Sequence, residues 1–302
     1  MADSNAASEP SPHPLRLGPW RHGYARTNGI QLHYVTQGEG PLVLLLHGFP
    51  EFWYSWRHQI PTLAHKFQVV APDLRGYNDS DKPDSGYDIE TLTQDMQGLI
   101  QHFQADQVSV VAHDWGGAIA WHWAQTYPDQ IHKLAVLNSP HPACFRREFL
   151  TNLDQFRRSW YMIFFQLPYV PEWLLQRDLQ GWVRRIFQDT SVRKSAFTSR
   201  VLKIYEEALS KPGVLTAAIN YYRQFNVQTL QTLFLEPIRQ IMAPTLLIWG
   251  EEDFALSRSL TENMDDFFLG GIQKVFIPDC GHWAQQEAPL TVNRLLSEFL
   301  SA

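Results

Sequence analysis

The sequence predicts an α/β protein with a mostly parallel sheet, helices on both faces of that sheet and one helical insertion. Three observations support this prediction. Short apolar runs of strand length alternate with segments of helical spacing between residues 20 and 138, and the strand pattern resumes near residue 243. Strands separated by helices pair in parallel, because a parallel connection must cross back over the sheet. The stretch between these two parts shows no convincing strand.

Seven strands are predicted in order along the chain. The first alternates apolar and polar residues, which is typical of an edge strand, whereas the next three are continuous apolar runs typical of buried strands. Helical spacing over residues 51–66 and 89–105 separates these early strands. The predicted strands are IQLHYV, PLVLLLHG, FQVVAPD, VSVVAHD, KLAVLN, PTLLIWG and QKVFIPD.

The insertion is rich in Trp, Tyr, Phe and Arg and has helical spacing, as in SWYMIFFQLPYVPEWLLQ. A helical insertion between two strands of one sheet can cover the strand ends, where α/β sheets bind ligands. We therefore predict a flexible tail over residues 1–19, a core domain built from 20–138 and 238–302, and a helical cap over 139–237.

The composition excludes several classes of protein. A chain of 302 residues with 44% hydrophobic residues can bury a substantial core. A net charge of −6 and a pI near 6.0 give no reason to expect a nucleic acid or an anionic membrane as partner. The longest apolar runs are too short to span a membrane, and Cys144 and Cys280 lack a paired spacing, which favours a reducing compartment. We expect a cytoplasmic protein, and the oligomeric state stays unknown.

Polar motifs follow four of the predicted strands: HGFP, HDWGG, WGEEDFAL and PDCGHWAQ. The second lies in VSVVAHDWGGAIAWHW, where a strand leads through a sharp turn into a helix. A serine nucleophile stands at this turn in the Gly-x-Ser-x-Gly motif of many hydrolases, and here the position holds Asp114. Asp114, Asp253 and His282 follow one another in the order nucleophile, acid and histidine that such hydrolases share.

These motifs, with PDLRGY, resemble those of the epoxide hydrolases that have the α/β-hydrolase fold. The resemblance covers almost the whole chain after its first 22 residues. It implies that Asp114 is the nucleophile and that His282 and Asp253 form a charge pair. It also implies an oxyanion hole made by the backbone N–H groups of Phe49 and Trp115.

One position departs from the pattern of this family. Asn78, in RGYND, stands where the family more often has glycine. Asparagine also tolerates the left-handed backbone conformation, so we expect the turn to be preserved.

A carboxylate nucleophile has a clear chemical use. Asp114 is ionised near neutral pH and can attack an sp³ carbon without losing a proton, which forms an ester with the enzyme itself. His282, oriented by Asp253, can then deprotonate a water that hydrolyses this ester. The alternative interpretation is that Asp114 only caps the helix that follows it.

An epoxide oxygen leaves as a strongly basic alkoxide and therefore needs an acid, for which tyrosine, with a pKa of about 10, is suitable. The segments SWYMIFFQLP and INYYR resemble the two ring-opening tyrosine segments of the family and match at Tyr161 and Tyr222. Tyr221 is the alternative for the second position. Aromatic core packing is the other explanation for these tyrosines.

Trp115, Trp160 and Phe165 are expected to line a pocket for a small apolar epoxide substrate, together with water as the second reactant. No cofactor is expected. No metal is expected either, because the 12 histidines include no pair with the spacing of a zinc site.

Two alternatives remain at the level of sequence. A haloalkane dehalogenase also uses an Asp followed by Trp, but its HGNP-type loop would supply an Asn side chain where this chain has Phe49. A non-catalytic ligand-binding protein of this fold would be expected to lack a member of the triad, and all three residue types are present.

Overall fold

The computed structural model describes residues 18–224 and 239–302. Its centre is one sheet of eight strands: β1 (Arg21–Thr27), β2 (Ile30–Gln37), β3 (Leu42–Leu46), β4 (Gln68–Pro72), β5 (Val108–His113), β6 (Ile131–Leu137), β7 (Thr245–Gly250) and β8 (Ile272–Ile277). The strand order is β1-β2-β4-β3-β5-β6-β7-β8. β1 pairs antiparallel with β2, and β2 antiparallel with β4, while the other five pairs are parallel. The prediction of a mostly parallel sheet is confirmed.

The prediction that the IQLHYV strand lies at the edge is wrong. β1, which was not predicted, pairs with it along its whole length and takes the edge position. The sequence of β1, RHGYART, has no apolar run and no regular alternation, and most of its side chains are exposed or half-buried. Pairing with β2 fixes its place in the sheet, and the residue types of β1 do not by themselves predict a strand.

Helices cover both faces of the sheet. α1 packs against α12, whereas α2 and α3 pack against each other, and α3 also contacts β5 and β6. The helices are α1 (Gln59–Leu63), α2 (Ile89–His102), α3 (Trp115–Thr126), α4 (Pro142–Thr151), α5 (Leu153–Arg158), α6 (Trp160–Phe164), α7 (Val170–Arg177), α8 (Leu179–Val183), α9 (Ser199–Leu209), α10 (Val214–Arg223), α11 (Ala284–Glu287) and α12 (Pro289–Ser301). Within the described ranges, no helix is both long and apolar enough to cross a bilayer.

Residues 139–224, here called the cap segment, contain helices and no strand between β6 and β7. This agrees with the helical insertion expected over 139–237, of which 225–237 lie outside the described residues. Residues 1–17 of the expected tail lie outside them too. The division into tail, core and cap domains therefore stays a prediction.

The central strands are covered on both faces, which explains their continuous apolar sequences. All residues of β3, β5 and β7 are buried. The carboxyl ends of these strands lead into the HGFP, HDWGG and WGEEDFAL motifs, so the parallel arrangement brings the motifs to one edge of the sheet. Asn78 has a φ of 40°, the left-handed conformation that we expected of it.

The turn between β5 and α3 requires close packing at Gly116. A Cβ at this position would lie 2.3 Å from the carbonyl oxygen of Leu46 and 2.6 Å from that of His47. Both are backbone atoms at the end of β3, which cannot move aside without disturbing the sheet.

We expect Gly116→Ala to lower the free energy of unfolding by about 1–3 kcal/mol, the usual cost of overpacking. This is opposite to the stabilisation that Ala ordinarily gives within a helix. Urea unfolding measures the change. Ala118→Gly in the same helix is the control, and helix propensity alone predicts a loss of about 1 kcal/mol there. A Gly116→Ala variant as stable as the wild type would contradict the close approach.

Candidate active site

Asp114 occupies the turn between β5 and α3 with φ 49° and ψ −118°, which is a rare conformation for a residue with a side chain. The surroundings hold it there. The hydroxyl of Ser139 donates to the Asp114 carbonyl at 2.8 Å, and a Cβ on Gly48 would lie 2.3 Å from the Asp114 Cβ. The side chain makes no capping hydrogen bond to α3. The arrangement therefore does not support the alternative that Asp114 serves as a helix cap.

The Asp114 carboxylate instead points towards the HGFP loop. The backbone N–H of Phe49 donates to its Oδ1 at 2.8 Å. Oδ2 lies 3.6 Å from Nε2 of His282. The two oxygens thus face different groups, one a fixed N–H donor and the other an imidazole.

His282 and Asp253 lie together, as their places in the sequence predict. Asp253 follows β7 and His282 follows β8, and Nδ1 of the imidazole donates to Oδ2 of Asp253 at 2.7 Å. Asn138, at the end of β6, donates to the same oxygen at 2.8 Å. The N–H groups of Ala255 and Leu256 donate to Oδ1. The buried carboxylate therefore has hydrogen-bond donors on both oxygens, as buried polar groups require.

The two carboxylates shift the ionisation of the site. Burial lowers the pKa of His282, but the charges of Asp253 and Asp114 and their hydrogen bonds outweigh it and raise that pKa to about 10. Burial likewise disfavours ionised Asp114, but the hydrogen bond and charge of His282, with His113 and the Phe49 N–H, hold its pKa below the ordinary value. Asp114 is thus an anion beside a protonated imidazole at neutral pH.

Tyr161 and Tyr222 lie together in an aromatic cluster over this site. The ring of Tyr222 is 5.6 Å from that of Tyr161, 5.2 Å from Trp115 and 5.1 Å from both Phe49 and Phe165. Burial, then the charges of Asp114 and Asp253, raise the pKa of Tyr161. Burial, then Tyr161 and Asp114, raise the pKa of Tyr222 well above its ordinary value. Both side chains therefore stay protonated at neutral pH.

Tyr221 and Trp160 are placed differently. The hydroxyl of Tyr221 donates to the backbone carbonyl of Arg75 at 2.7 Å, so it is engaged by the core domain. This favours Tyr222 over Tyr221. Trp160, expected to line the pocket, is 63% exposed, and its ring contacts Phe164. The structure thus brings Trp115 and Phe165 to the cluster around Tyr222 but gives Trp160 an outward position.

A buried polar network behind Asp114 was not predicted from the sequence. Nδ1 of His113 is hydrogen-bonded to Glu51 at 2.8 Å, and its Nε2 to the carbonyl oxygen of His282 at 2.9 Å. The side-chain amides of Gln285 and Gln286 also donate to Glu51. The HGFP, HDWGG and CGHW motifs are therefore joined beneath the reacting groups. Glu51 directly follows HGFP, and a charged residue among apolar neighbours was the available signal.

The cap segment is hydrogen-bonded to the loop after β7 that contains Asp253, which is a second feature that was not predicted. The side chain of Gln155, on α5, accepts from the N–H of Ser257 at 2.8 Å and donates to the carbonyl of Ala255 at 3.0 Å. Arg158 donates to the carbonyl of Asp253 at 2.8 Å. Both residues lie more than 90 positions from the loop in sequence, so no local pattern could have indicated these contacts.

His33, Asp73 and Asp79 lie close enough together to hold a cation. Protein groups already engage them, because Nδ1 of His33 is 2.6 Å from Asp73 and Nζ of Lys211 is 2.6 Å from Asp79. The group lies behind the HGFP loop and joins β2 and β4 to the cap segment. Its arrangement is that of a structural hydrogen-bond network.

Known proteins resemble this chain over nearly its full length. The AB hydrolase superfamily protein YfhM of Bacillus subtilis (strain 168) is 40% identical over 282 residues, which are 92% of this chain and 96% of the relative. Epoxide hydrolase 1 of Caenorhabditis elegans is 38% identical and covers 95% of this chain, with 72% of its own length matched. The crystal structure of Bacillus megaterium epoxide hydrolase in complex with an inhibitor has a TM-score of 0.86 at 33% identity, over 93% of this chain and 100% of the other.

A family model described as the alpha/beta hydrolase fold matches residues 41–289, a range that includes Phe49, Asp114, Asp253 and His282. The eight-stranded sheet has the architecture of the solved epoxide hydrolases. The chain therefore belongs to the α/β hydrolase fold family and, within it, to the epoxide hydrolases.

Proposed function

We propose that this protein converts small apolar epoxides to vicinal diols through a covalent ester on Asp114. The observation that carries the proposal is that the Asp114 carboxylate, the His282–Asp253 pair and the tyrosine rings converge at one edge of the sheet. Relatives named epoxide hydrolases support the same reaction.

In the first step, Oδ2 of Asp114 attacks one carbon of the epoxide. The ring C–O bond breaks, its electron pair goes to the oxygen, and that oxygen takes a proton from Tyr161 or Tyr222. Oδ1 is held by the Phe49 N–H at 2.8 Å, whereas Oδ2 has only the longer contact of 3.6 Å with His282, so we assign the attack to Oδ2. The raised pKa values of both tyrosines keep them protonated until the alkoxide forms.

In the second step, water attacks the carbonyl carbon of the ester. His282 takes the proton from the water, and the charge that develops on Oδ1 is stabilised by the N–H of Phe49, with Trp115 as the second expected donor. The C–O bond to the substrate then breaks, and the leaving alcohol receives the proton from His282. The carboxylic acid that remains on Asp114 passes its proton to His282, which restores the carboxylate beside a protonated imidazole, and the diol is released.

The charges of the site order the two steps. In the resting enzyme His282 is protonated by its position between two carboxylates and cannot act as a base. Esterification removes the charge of Asp114, and the pKa of His282 falls because one of the two groups that raise it is gone. The proton that the imidazole then releases restores the tyrosine that gave up its proton in ring opening. The imidazole therefore becomes a base only after the ester that it must hydrolyse has formed.

We expect a His282→Gln variant mixed with an epoxide to accumulate a covalent adduct on Asp114. The carboxylate needs no base for its attack, whereas glutamine cannot take the proton from water. Intact-protein mass spectrometry should show a gain equal to the mass of the whole epoxide, and peptide mapping should place it on Asp114.

Asp114→Asn is the control for this experiment and should form no adduct. A haloalkane offered to His282→Gln tests the dehalogenase alternative, since its adduct would lack the halide. A folded His282→Gln variant that forms an adduct with a haloalkane and none with epoxides would refute the proposed reaction.

Tyr161→Phe and Tyr222→Phe should each slow ester formation by about 100-fold, the ordinary scale for the loss of a general acid. Rapid quenching followed by mass spectrometry of the adduct measures this step alone. Tyr221→Phe is the matched control, because its hydroxyl donates to the Arg75 carbonyl. It should lower stability and leave the rate of ester formation unchanged. Wild-type rates in both Tyr161→Phe and Tyr222→Phe would rule out the assigned acids.

Asp114→Asn should lower the pKa of His282 from about 10, because it removes one of the two carboxylates that raise it. The sign for stability follows from linkage. The pKa of His282 is raised above its ordinary value of 6.5. The contribution of this group to the free energy of unfolding is therefore complete below pH 6.5 and is lost as the pH rises through about 10. In Asp114→Asn this loss should end at a lower pH. NMR titration of the imidazole is the measurement, and an equal or higher pKa in the variant would contradict the coupling.

A further inference from the structure

The net charge of −6 conceals an uneven distribution. Residues 139–237 contain 13 Lys and Arg against eight Asp and Glu, whereas the rest of the chain contains 12 against 23. The insertion is thus a cation of about +5 attached to a core of about −11. Such an asymmetry within one chain indicates a surface that favours anionic partners.

Large exposed apolar side chains concentrate in the same part of the molecule. Among the described residues, 14 large hydrophobic side chains are exposed, and ten of them lie between residues 150 and 174. Single exposed apolar residues are ordinary on protein surfaces, but a local concentration of this kind marks an interaction surface.

The exposed apolar side chains are most regularly arranged on helix α7. Val170, Trp173 and Leu174 are exposed at positions i, i+3 and i+4, and the exposed Arg177 follows at i+7. These positions share one face of a helix. Leu175 lies on the other side and is buried against the protein. Solvent therefore meets an apolar stripe on the face where a surface helix ordinarily carries polar residues.

The stripe continues into the preceding turn and α6. Tyr169, which is 84% exposed, lines a shared groove with Trp173. We define the cap-face patch as the exposed apolar residues Trp160, Ile163, Leu167, Tyr169, Val170, Trp173 and Leu174. Its members lie within 15 consecutive residues of the cap segment.

Arginines accompany this patch. The guanidinium of Arg177 lies over the ring of Trp173, 5.6 Å from its centroid. Arg157, on α5, is also exposed. Arg184 and Arg185, just beyond α8, are exposed as well but pair with Asp189 and Asp178. Arg side chains can cover apolar surface with their stems and keep their charge at the polar boundary.

We propose that the cap-face patch binds the surface of an anionic lipid membrane. Trp and Tyr are the residues that favour the boundary between acyl chains and headgroups, and arginines beside them attract anionic lipids. The inference concerns peripheral binding, with the helices lying in the plane of the surface. It is independent of the reaction proposed for the site.

A second copy of the chain fits this surface less well. The commonest dimers are two-fold symmetric and bring the same patch of each copy together. Such a contact here would place two insertions of about +5 against each other, and like charges across an interface oppose association. An anionic bilayer offers apolar acyl chains to the exposed stripe and negative headgroups to the positive charge.

Sedimentation with sucrose-loaded vesicles tests the proposal on the full chain. We expect binding to vesicles of phosphatidylcholine with phosphatidylglycerol, weaker binding to phosphatidylcholine alone, and a decline as salt is raised. The double variant Trp173→Ser/Leu174→Ser should reduce binding at least about tenfold, because it removes the apolar stripe. Arg157→Gln/Arg177→Gln should reduce binding only to the anionic vesicles.

Matched controls come from the core domain. Leu290→Ser removes a leucine that is 84% exposed on α12, and Arg294→Gln removes an exposed arginine of the same helix. Both should bind as the wild type does, and circular dichroism confirms that each variant is folded. The proposal is overturned if the wild type binds neither vesicle, or if the cap-face variants bind as well as the controls. A third result would also overturn it: if the wild type binds no vesicles but self-associates, and the Trp173→Ser/Leu174→Ser variant does not self-associate, the patch binds a second copy of the chain instead.

Discussion

The imidazole of His282 between two buried carboxylates is the constraint on which the rest of the site depends. Two carboxylates in a low-dielectric site repel each other and resist ionisation unless a cation lies between them. His282 supplies that cation, 2.7 Å from Asp253 and 3.6 Å from Asp114. Asn138 and two backbone amides complete the hydrogen-bond partners of Asp253. The same electrostatics keep Asp114 ionised.

Three separate parts of the chain hold these groups in place. The parallel strands bring the motifs to one edge of the sheet, and the close packing at Gly116 fixes the turn that carries Asp114. Beneath them, His113 links Glu51 to the backbone of His282. From the cap segment, Gln155 fixes the loop after Asp253. The cap segment and the sheet therefore both contribute to the position of the Asp253 loop.

The cap segment presents two different aromatic surfaces. Inward, the rings of Tyr161, Phe165 and Tyr222 pack together and against Phe49 of the HGFP loop. Outward, Trp160 and Trp173 face solvent beside arginines. Neighbouring residues in sequence serve opposite surfaces because successive positions on a helix lie about 100° apart. This explains why an aromatic-rich sequence alone could not assign Trp160 to the pocket or to the exterior.

The sequence by itself determined the strands β2 to β8 and the helical character of the insertion, and it is the source of the proposal for the reacting groups. Buried strands and strand-end motifs have local signatures, since burial and turn geometry act on consecutive residues. Tertiary structure alone decided the rest. β1 takes the edge of the sheet by pairing with β2, Tyr222 faces the site while Tyr221 binds the Arg75 carbonyl, and Gln155 reaches a loop 100 residues away. These features depend on contacts between distant segments, and such contacts leave no periodic pattern in the chain because each partner's residue type is compatible with many other environments.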